Sequence, residues 1–312
     1  MTALTLVETG CVVCGSDAAS PEARGPDFEH DTVPGEFSFV RCDGCGHLYL
    51  RPRPSTADLG AIYPADYYAY ASDGPAFAAG LRGMREARKV RLFRRAIGEG
   101  ARRVLDLGCG NGRLLSLLRQ HGGPEWELAG IDFSEGAVEQ CRARGFRARA
   151  TRVEDFTEED GTFDAVIMIQ ILEHLEDPRR TLARVRALLR PGGALILETP
   201  NVGGLDYRLF RGRWWAPYHF PRHWNLFSTT SLGRLLRETG FEVVRSEQLI
   251  NTSSWIVSLH NWLADRGWPR RLVRLFHFQN ALLLPPFIGI DLVRRRLGLS
   301  TSDQRAIARR AG

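Results

Sequence analysis

The chain has 312 residues, 44% hydrophobic and 25% charged, the balance of a globular protein with a core large enough to fold without disulfide staples. No run of about 18 apolar residues predicts a membrane-spanning helix. The N-terminal stretch MTALTLVETGCVVCG lacks the basic and apolar regions of a secretory signal, so a cytoplasmic location is expected. The net charge is +6, from 41 Arg and one Lys (Lys89), an arginine bias that points to a high-GC bacterial coding background. The charge is uneven. Residues 251–312 hold ten Arg against Asp265, Asp291 and Asp303, a net of +7, which leaves −1 for the rest.

At the N-terminus, Cys11-x2-Cys14 and Cys42-x2-Cys45 give a C-x2-C-x27-C-x2-C spacing. Two such pairs place four thiolates around one tetrahedral ion, so a structural Zn2+ is expected; the alternative is four reduced thiols. Gly15, Gly44 and Gly46 stand where the tight knuckle turns need a small residue. Strand-like EFSFVR (Glu36–Arg41) leads into the second knuckle and His47–Leu50 leads out, so 1–55 reads as a zinc-ribbon-like module. Residues 56–100 read as connector and helical lid. Tyr63, Tyr67, Tyr68 and Tyr70 either clamp the ribbon to the core or form an aromatic wall over a pocket, and a helix is expected over Met84–Ile97.

Residues 103–112, RVLDLGCGNG, run an apolar strand into a glycine turn, and a periodic helix follows over Arg113–His121. This is the nucleotide-binding opening of a doubly wound sheet. Arg113 replaces the last glycine of the dinucleotide pattern, which disfavours NAD. A second strand, Trp126–Ile131, ends at Asp132, 20 residues beyond Gly112 and suitably placed for ribose hydroxyls; Ser134 then caps a helix. Further strands are expected at Phe146–Ala150, Phe163–Met168, within 190–199 and at Phe241–Ser246, with helices over Arg179–Leu189 and Ser231–Thr239. Cys109 and Cys141 read as packing residues.

The motifs VLDLGCGNG, GIDFS, VEDF, FDAVIMIQILEHLEDP and LLRPGGALILETPN make the segment from about 85 to 250 resemble a class I S-adenosylmethionine-dependent methyltransferase. The resemblance implies an α/β fold with a doubly wound, mostly parallel seven-stranded sheet, a core over 101–250, and S-adenosyl-L-methionine as cofactor. It further implies that Asp106, Gly108, Cys109, Gly110 and Gly112 form the turn around the cofactor's amino-acid part. Asp132 would hold the ribose, Phe133 would lie on the adenine, and Asp155, flanked by Glu154 and Phe156, would meet the adenine amino group. Gln170 would sit beside the methyl donor.

Glu173-His174 stands where ubiquinone-type O-methyltransferases, which this region resembles, carry Glu-x-x-Glu-His; here Gln170 replaces the first glutamate. The pair is either a proton-handling or metal-binding site or a helix-start pair that caps and packs. Residues 212–228, GRWWAPYHFPRHWNLFS, resemble the histidine loop of bacterial small-molecule methyltransferases, with Pro221 one place early. His219 or His223 is thus a candidate general base, or both are hydrogen-bonded parts of a rigid loop.

Residues 251–312 read as a helical insert plus a last strand near Gln304–Arg309. The insert combines Trp255, Trp262, Trp268, Phe276, Phe278 and Phe287 with ALLLPPFIGI and Arg294-Arg295-Arg296. It suits peripheral contact with the inner face of a membrane through 251–300, or a helical cap or homodimer face. The favoured function is methylation of a small-molecule, sugar or lipid-linked acceptor, most readily on oxygen. An RNA methyltransferase is disfavoured: residues after the fourth strand lack an Asn/Asp-Pro-Pro-aromatic motif and residues 1–50 are near neutral. A non-catalytic cofactor-binding module is the third class.

Overall fold

The structure, a computed structural model, describes residues 4–63, 79–276 and 280–312, with the side chains of 79–82 and 281 excepted. Tyr67, Tyr68, Tyr70 and Phe278 lie outside the described residues. In chain order the N-terminal part gives β1 (Leu6–Val7), β2 (Ala19–Gly25), β3 (Phe37–Cys42), β4 (Leu48–Leu50), β5 (Arg53–Pro54), α1 (Leu59–Ile62) and α2 (Ala79–Ile97). The central part gives β6 (Arg103–Leu107), α3 (Arg113–His121), β7 (Glu127–Asp132), α4 (Glu135–Ala143), β8 (Arg147–Ala150), β9 (Phe163–Ile169), α5 (Pro178–Leu188) and β10 (Leu189–Pro200). Then come α6 (Leu205–Phe210), β11 (Asn225–Leu226), α7 (Thr229–Glu238), β12 (Phe241–Leu249), α8 (Thr252–Asp265), α9 (Arg270–Val273), α10 (Leu284–Arg296) and β13 (Asp303–Arg310).

Seven strands form one sheet in the order β12-β13-β10-β9-β6-β7-β8. The five strands from β10 to β8 run parallel, and β13 is antiparallel to both β10 and β12. This is the doubly wound, mostly parallel sheet that the motifs imply. Helices cover both faces, so the central strands are apolar over their length, and Ala165, Val166, Ile167 and Met168 of β9 are fully buried. The last strand begins one residue before its expected start and ends one after it.

Polar residues mark the helix starts. The Ser134 hydroxyl accepts from Ala137 N at 3.3 Å, and the Asp177 carboxylate accepts from Arg180 N at 3.0 Å. Ser228 and Ser231 form a reciprocal capping box. The glycine turn is fixed by packing as well: a Cβ on Gly112 would stand 2.8 Å from Cys141 Sγ, and one on Gly130 would stand 2.7 Å from Cys109 Sγ. Cys109 and Cys141 are accordingly buried packing residues in one apolar cluster with Leu115, Leu118, Val138 and Phe146.

The N-terminal strands β2, β3 and β4 join β11 in a four-stranded antiparallel sheet, in the order β11-β4-β3-β2. Two of its strands were not expected. β2 reads ASPEARG, a poor strand sequence, and it lies at the sheet edge, where Pro21 costs least and the register slips between Pro21 and Ala23. β11 comes from the histidine loop and pairs Asn225 with Tyr49 and Leu226 with Leu48. The module is therefore tied to the core: Cys11, Val13, Cys42 and Tyr49 share a cluster with Leu182 and Val185 of α5 and Leu232, Leu235 and Leu236 of α7. α2 starts five residues earlier than expected, because Gly80 and Gly83 weaken the helical pattern without breaking it. β12 runs to Leu249, three residues past its expected end. None of the described helices is long and apolar enough to cross a membrane.

Candidate functional site

A cavity of about 1040 Å³ opens at the C-terminal ends of the parallel strands, the ligand position of open α/β sheets. Its floor is the turn after β6. Gly108 and Gly110 lie on the wall with φ of +80° and +50°. A Cβ on Gly108 would stand 2.1 Å from Ile171 Cδ1, so only glycine fits there. At the end of β7, Asp132 faces the cavity and accepts from Gly110 N and Ser134 N, each at 2.9 Å. Burial pushes its carboxyl above the ordinary value, opposed by those two N–H groups. Phe133 projects 53% exposed at the rim, 6.0 Å from the Tyr63 ring.

Glu154 and Gln170 also line the cavity. Gln170 has φ of +55°, and its Nε2 donates to both Asp303 oxygens at 3.1 Å. Other residues expected around the cofactor lie off the wall. Asp155 is exposed, Phe156 is buried against Phe163, Cys109 and Gly112 are packed behind the turn, and Asp106 is buried within β6. Burial pushes Asp106 up to about 8, so it is protonated at neutral pH in this environment. The chemistry of the wall suits an S-adenosylmethionine-sized group: backbone cradled at two left-handed glycines, a carboxylate at ribose distance along the motif, and an open aromatic face at the rim.

The other half of the cavity is a cluster of imidazoles from separate elements. His174 follows β9, and His219 and His223 come from the loop between α6 and β11. The His174 and His223 rings are 4.5 Å apart, and those of His219 and His223 are 4.9 Å apart. Nδ1 of His223 lies 2.7 Å from the Pro217 carbonyl, which can only accept, so Nδ1 carries the proton and Nε2 the lone pair. Nδ1 of His174 is similarly 3.1 Å from the Arg222 carbonyl, with the Tyr63 hydroxyl at 2.8 Å. Burial and the neighbouring imidazoles hold His223 well below the ordinary histidine value, and His174 is lowered to about 3, so both are neutral. His219 occupies a left-handed turn, with its Nδ1 3.1 Å from Glu29 Oε1.

Glu173 is fully buried beneath this cluster. Thr199 Oγ1 donates to its Oε2 at 2.9 Å, and burial pushes the carboxyl up to about 8. Donor atoms of Glu173, His174 and His223 lie within 4.8 Å of one another, as do those of Glu29, His30 and His219, so either trio could hold a cation. In the N-terminal module the four cysteine sulfurs also lie within 4.8 Å, with Cys11–Cys45 at 3.5 Å and Cys14–Cys42 at 3.4 Å. A tetrahedral ion with Zn–S bonds of about 2.3 Å needs sulfurs about 3.8 Å apart, so the donor set fits zinc.

Several wall residues escaped sequence reasoning. Glu29 reaches the cavity because Asp27, two residues earlier, makes a buried bidentate pair with Arg222 at 2.8 and 2.9 Å. Glu198, at the end of β10, is held by Lys89 Nζ at 2.7 Å and Arg305 Nε at 2.8 Å. Asn251, Ser253, Ser254 and Val257 of the α8 region complete the wall. The ETP run ending β10 and the TSD run leading into β13 are the signals that could have pointed to Glu198 and Asp303.

Residues 78–246 match the family model described as a methyltransferase domain. A ubiquinone biosynthesis O-methyltransferase of Bordetella avium is 36% identical over 107 residues, 32% of this chain and 43% of that protein. Its counterpart in Ruegeria pomeroyi is 32% identical over 165 residues, 49% of this chain and 65% of that protein. An uncharacterized 37.1 kDa protein in transposon TN4556 of Streptomyces fradiae is 39% identical over 111 residues, covering 33% of this chain and 32% of its own. In each case the chain spans less than two thirds of the relative's length. A crystal structure of an S-adenosylmethionine-dependent methyltransferase from Archaeoglobus fulgidus aligns with TM-score 0.48 and 21% identity, over 75% of this chain and 97% of that one.

Proposed function

From the premise that this chain belongs to the methyltransferase-domain family, we propose that it transfers a methyl group from S-adenosylmethionine to the hydroxyl of a small-molecule or lipid-linked acceptor. The observation that carries this reading is the shared cavity, with the glycine cradle and Asp132 at one end and the imidazole cluster at the other. Gly108, Gly110, Asp132, Phe133, Glu154 and Gln170 are the residues that would hold the cofactor. When bound, that cofactor supplies an electrophilic methyl on a sulfonium, and the protein's part is to position the acceptor and manage its proton.

His219 is the proposed general base. With Nδ1 fixed by the Glu29 carboxylate, its Nε2 lone pair takes the acceptor's hydroxyl proton as that oxygen forms its bond to carbon. The electron pair of the broken bond would stay with the cofactor's sulfur, and the Glu29 carboxylate would balance the imidazolium. Burial alone would raise Glu29, but the adjacent His219, with His30 and Arg222, holds it below its ordinary value, so it is ionised for this role. His223 and His174 stay neutral and offer Nε2 as hydrogen-bond acceptors for other donor groups of the acceptor molecule. Ala216, Pro217, Trp224, Ile250 and Val257 give the acceptor an apolar surface.

A structural zinc on Cys11, Cys14, Cys42 and Cys45 is proposed to hold the N-terminal module that presents Glu29. The test incubates the pure protein with methyl-labelled S-adenosylmethionine and a host extract separated into RNA, protein, polar and lipid fractions. Label in the polar or lipid fraction supports the reading, and label in RNA alone overturns it.

A further inference from the structure

We propose that the outer face of the C-terminal insert docks the protein on an anionic lipid surface. The second half of α10 buries its acid and exposes its aliphatic side chains, the reverse of a helix in water. Its single acid, Asp291, is 1% exposed and accepts from Asn251 N at 3.1 Å and from Trp255 Nε1 at 3.2 Å. At its C-terminal end the aliphatic side chains face outward: Ile290 is 36% exposed, Leu292 40% and Val293 55%, followed by Leu297 at 68%, whereas Leu284 and Ile288 are half-buried. A surface helix ordinarily turns that face to the core. On the turn that leads into α10, Leu282 is exposed, and on α9, which packs on α8 as α10 does, Leu272 and Leu275 are exposed. Scattered apolar residues mean little, but so many exposed on one stretch, Ile290 to Leu299, mark an interaction surface.

Charge selects the partner. Residues 266–299 contain seven arginines, and Asp291 is their only acid. Arg295 and Arg296 are exposed beside the α10 leucines, and Arg270, Arg271 and Arg274 beside those of α9. A second copy of the chain on a two-fold axis would bring two such arginine sets together. A nucleic acid would meet the arginines but leave the aliphatic side chains in water. An anionic bilayer satisfies both, because arginines pair with headgroups while leucines enter the acyl boundary. The contact is peripheral, since none of the described helices is long and apolar enough to span a membrane.

The patch is also coupled to the cavity. α8 lines the cavity through Ser253, Ser254 and Val257, and on its other contact Trp255 stacks on Phe287 of α10 with centroids 5.5 Å apart. Docking would therefore hold one cavity wall beside the bilayer, whichever acceptor is methylated.

Co-sedimentation of the full chain with phosphatidylcholine vesicles, with and without phosphatidylglycerol, tests the proposal. The expected result is binding that requires phosphatidylglycerol and falls with salt. Arg295→Ser with Arg296→Ser should weaken it by roughly 25-fold, each arginine near an anionic surface being worth about fivefold. Leu292→Ser with Val293→Ser and Leu297→Ser should abolish it while leaving the thermal melt of these exposed positions unchanged. Absence of binding, equal binding to neutral vesicles, or a solution dimer dissolved by the Leu292/Val293/Leu297 variant would each overturn it.

Discussion

Oε1 of Glu29 lies 3.1 Å from Nδ1 of His219, although 190 positions separate the two residues in the chain. The contact joins the N-terminal module to the histidine loop at the cavity wall. It gives the module a chemical task beyond packing, because the carboxylate fixes the ring orientation and tautomer of the proposed base. Glu29→Gln should lower kcat by roughly 10- to 100-fold with little change in KM, the usual cost of losing an orienting carboxylate. His219→Ala should cost about 10²- to 10⁴-fold. Steady-state kinetics on the labelled fraction, paired with thermal melts, separates these effects from loss of fold.

Gly108 carries the cofactor half of the account. Gly108→Ala places a methyl 2.1 Å from Ile171 Cδ1 at a φ of +80°. S-adenosylhomocysteine binding measured by calorimetry should fall below detection, while circular dichroism retains the α/β signal.

The buried Arg222–Asp27 pair holds the Glu29 segment in place. Arg222→Ala leaves a buried carboxylate unpaired and should cost about 3–5 kcal/mol in denaturant unfolding. Asp27 itself is pulled from 3.8 to about 2: burial raises it, and the Arg222 guanidinium outweighs that burial. A depressed folded value means a stabilising contribution present above about pH 4 and lost as pH falls through about 2. The acid limb of the stability curve should therefore flatten in Asp27→Asn.

Glu173 titrates with the opposite sign. Burial raises its carboxyl from 4.5 to about 8, so its protonated form is favoured in the folded protein. The corresponding contribution is complete below about pH 4.5 and lost as pH rises through about 8. Glu173→Gln, which keeps the shape and removes the titration, should match the parent near pH 4 and become increasingly the more stable of the two up to pH 9, read from melting temperatures across that range.

Removal of metal gives a further check. Elemental analysis of protein purified without chelator should find about one zinc per chain. Stripping it should lower the melting temperature and, by loosening the segment that presents Glu29, lower turnover more than cofactor affinity. Cys42→Ser should act in the same direction.

The centre of the sheet was legible because β6, β9 and the ALIL stretch of β10 are buried apolar runs and the glycine turn between β6 and α3 has few alternatives. β13 was legible despite a 50-residue insert, since QRAIAR carries the short apolar run Ala306-Ile307-Ala308, which a strand between β10 and β12 buries. What could not be read depends on distant contacts. β2 is held by its partner β3 and tolerates proline through its edge position. Glu29 sits in an unremarkable loop sequence and is brought to the cavity by Asp27 and Arg222. α10 reads as an ordinary apolar-basic helix, and only its packing reveals that Asp291 is inside and Leu292 and Val293 outside. The spread of the expected cofactor residues has a similar cause: Glu154 and Asp155 are adjacent, and the turn of the backbone sends one to the wall and the other to solvent.

The most direct measurement is the initial rate of methyl transfer from labelled S-adenosylmethionine into the polar and lipid fractions, compared between the parent protein and His219→Ala at equal cofactor saturation. The account expects label in one of these fractions with the parent, and a rate lower by about 10²-fold or more with the variant. Equal rates in the two proteins, or no label in either fraction, would contradict it.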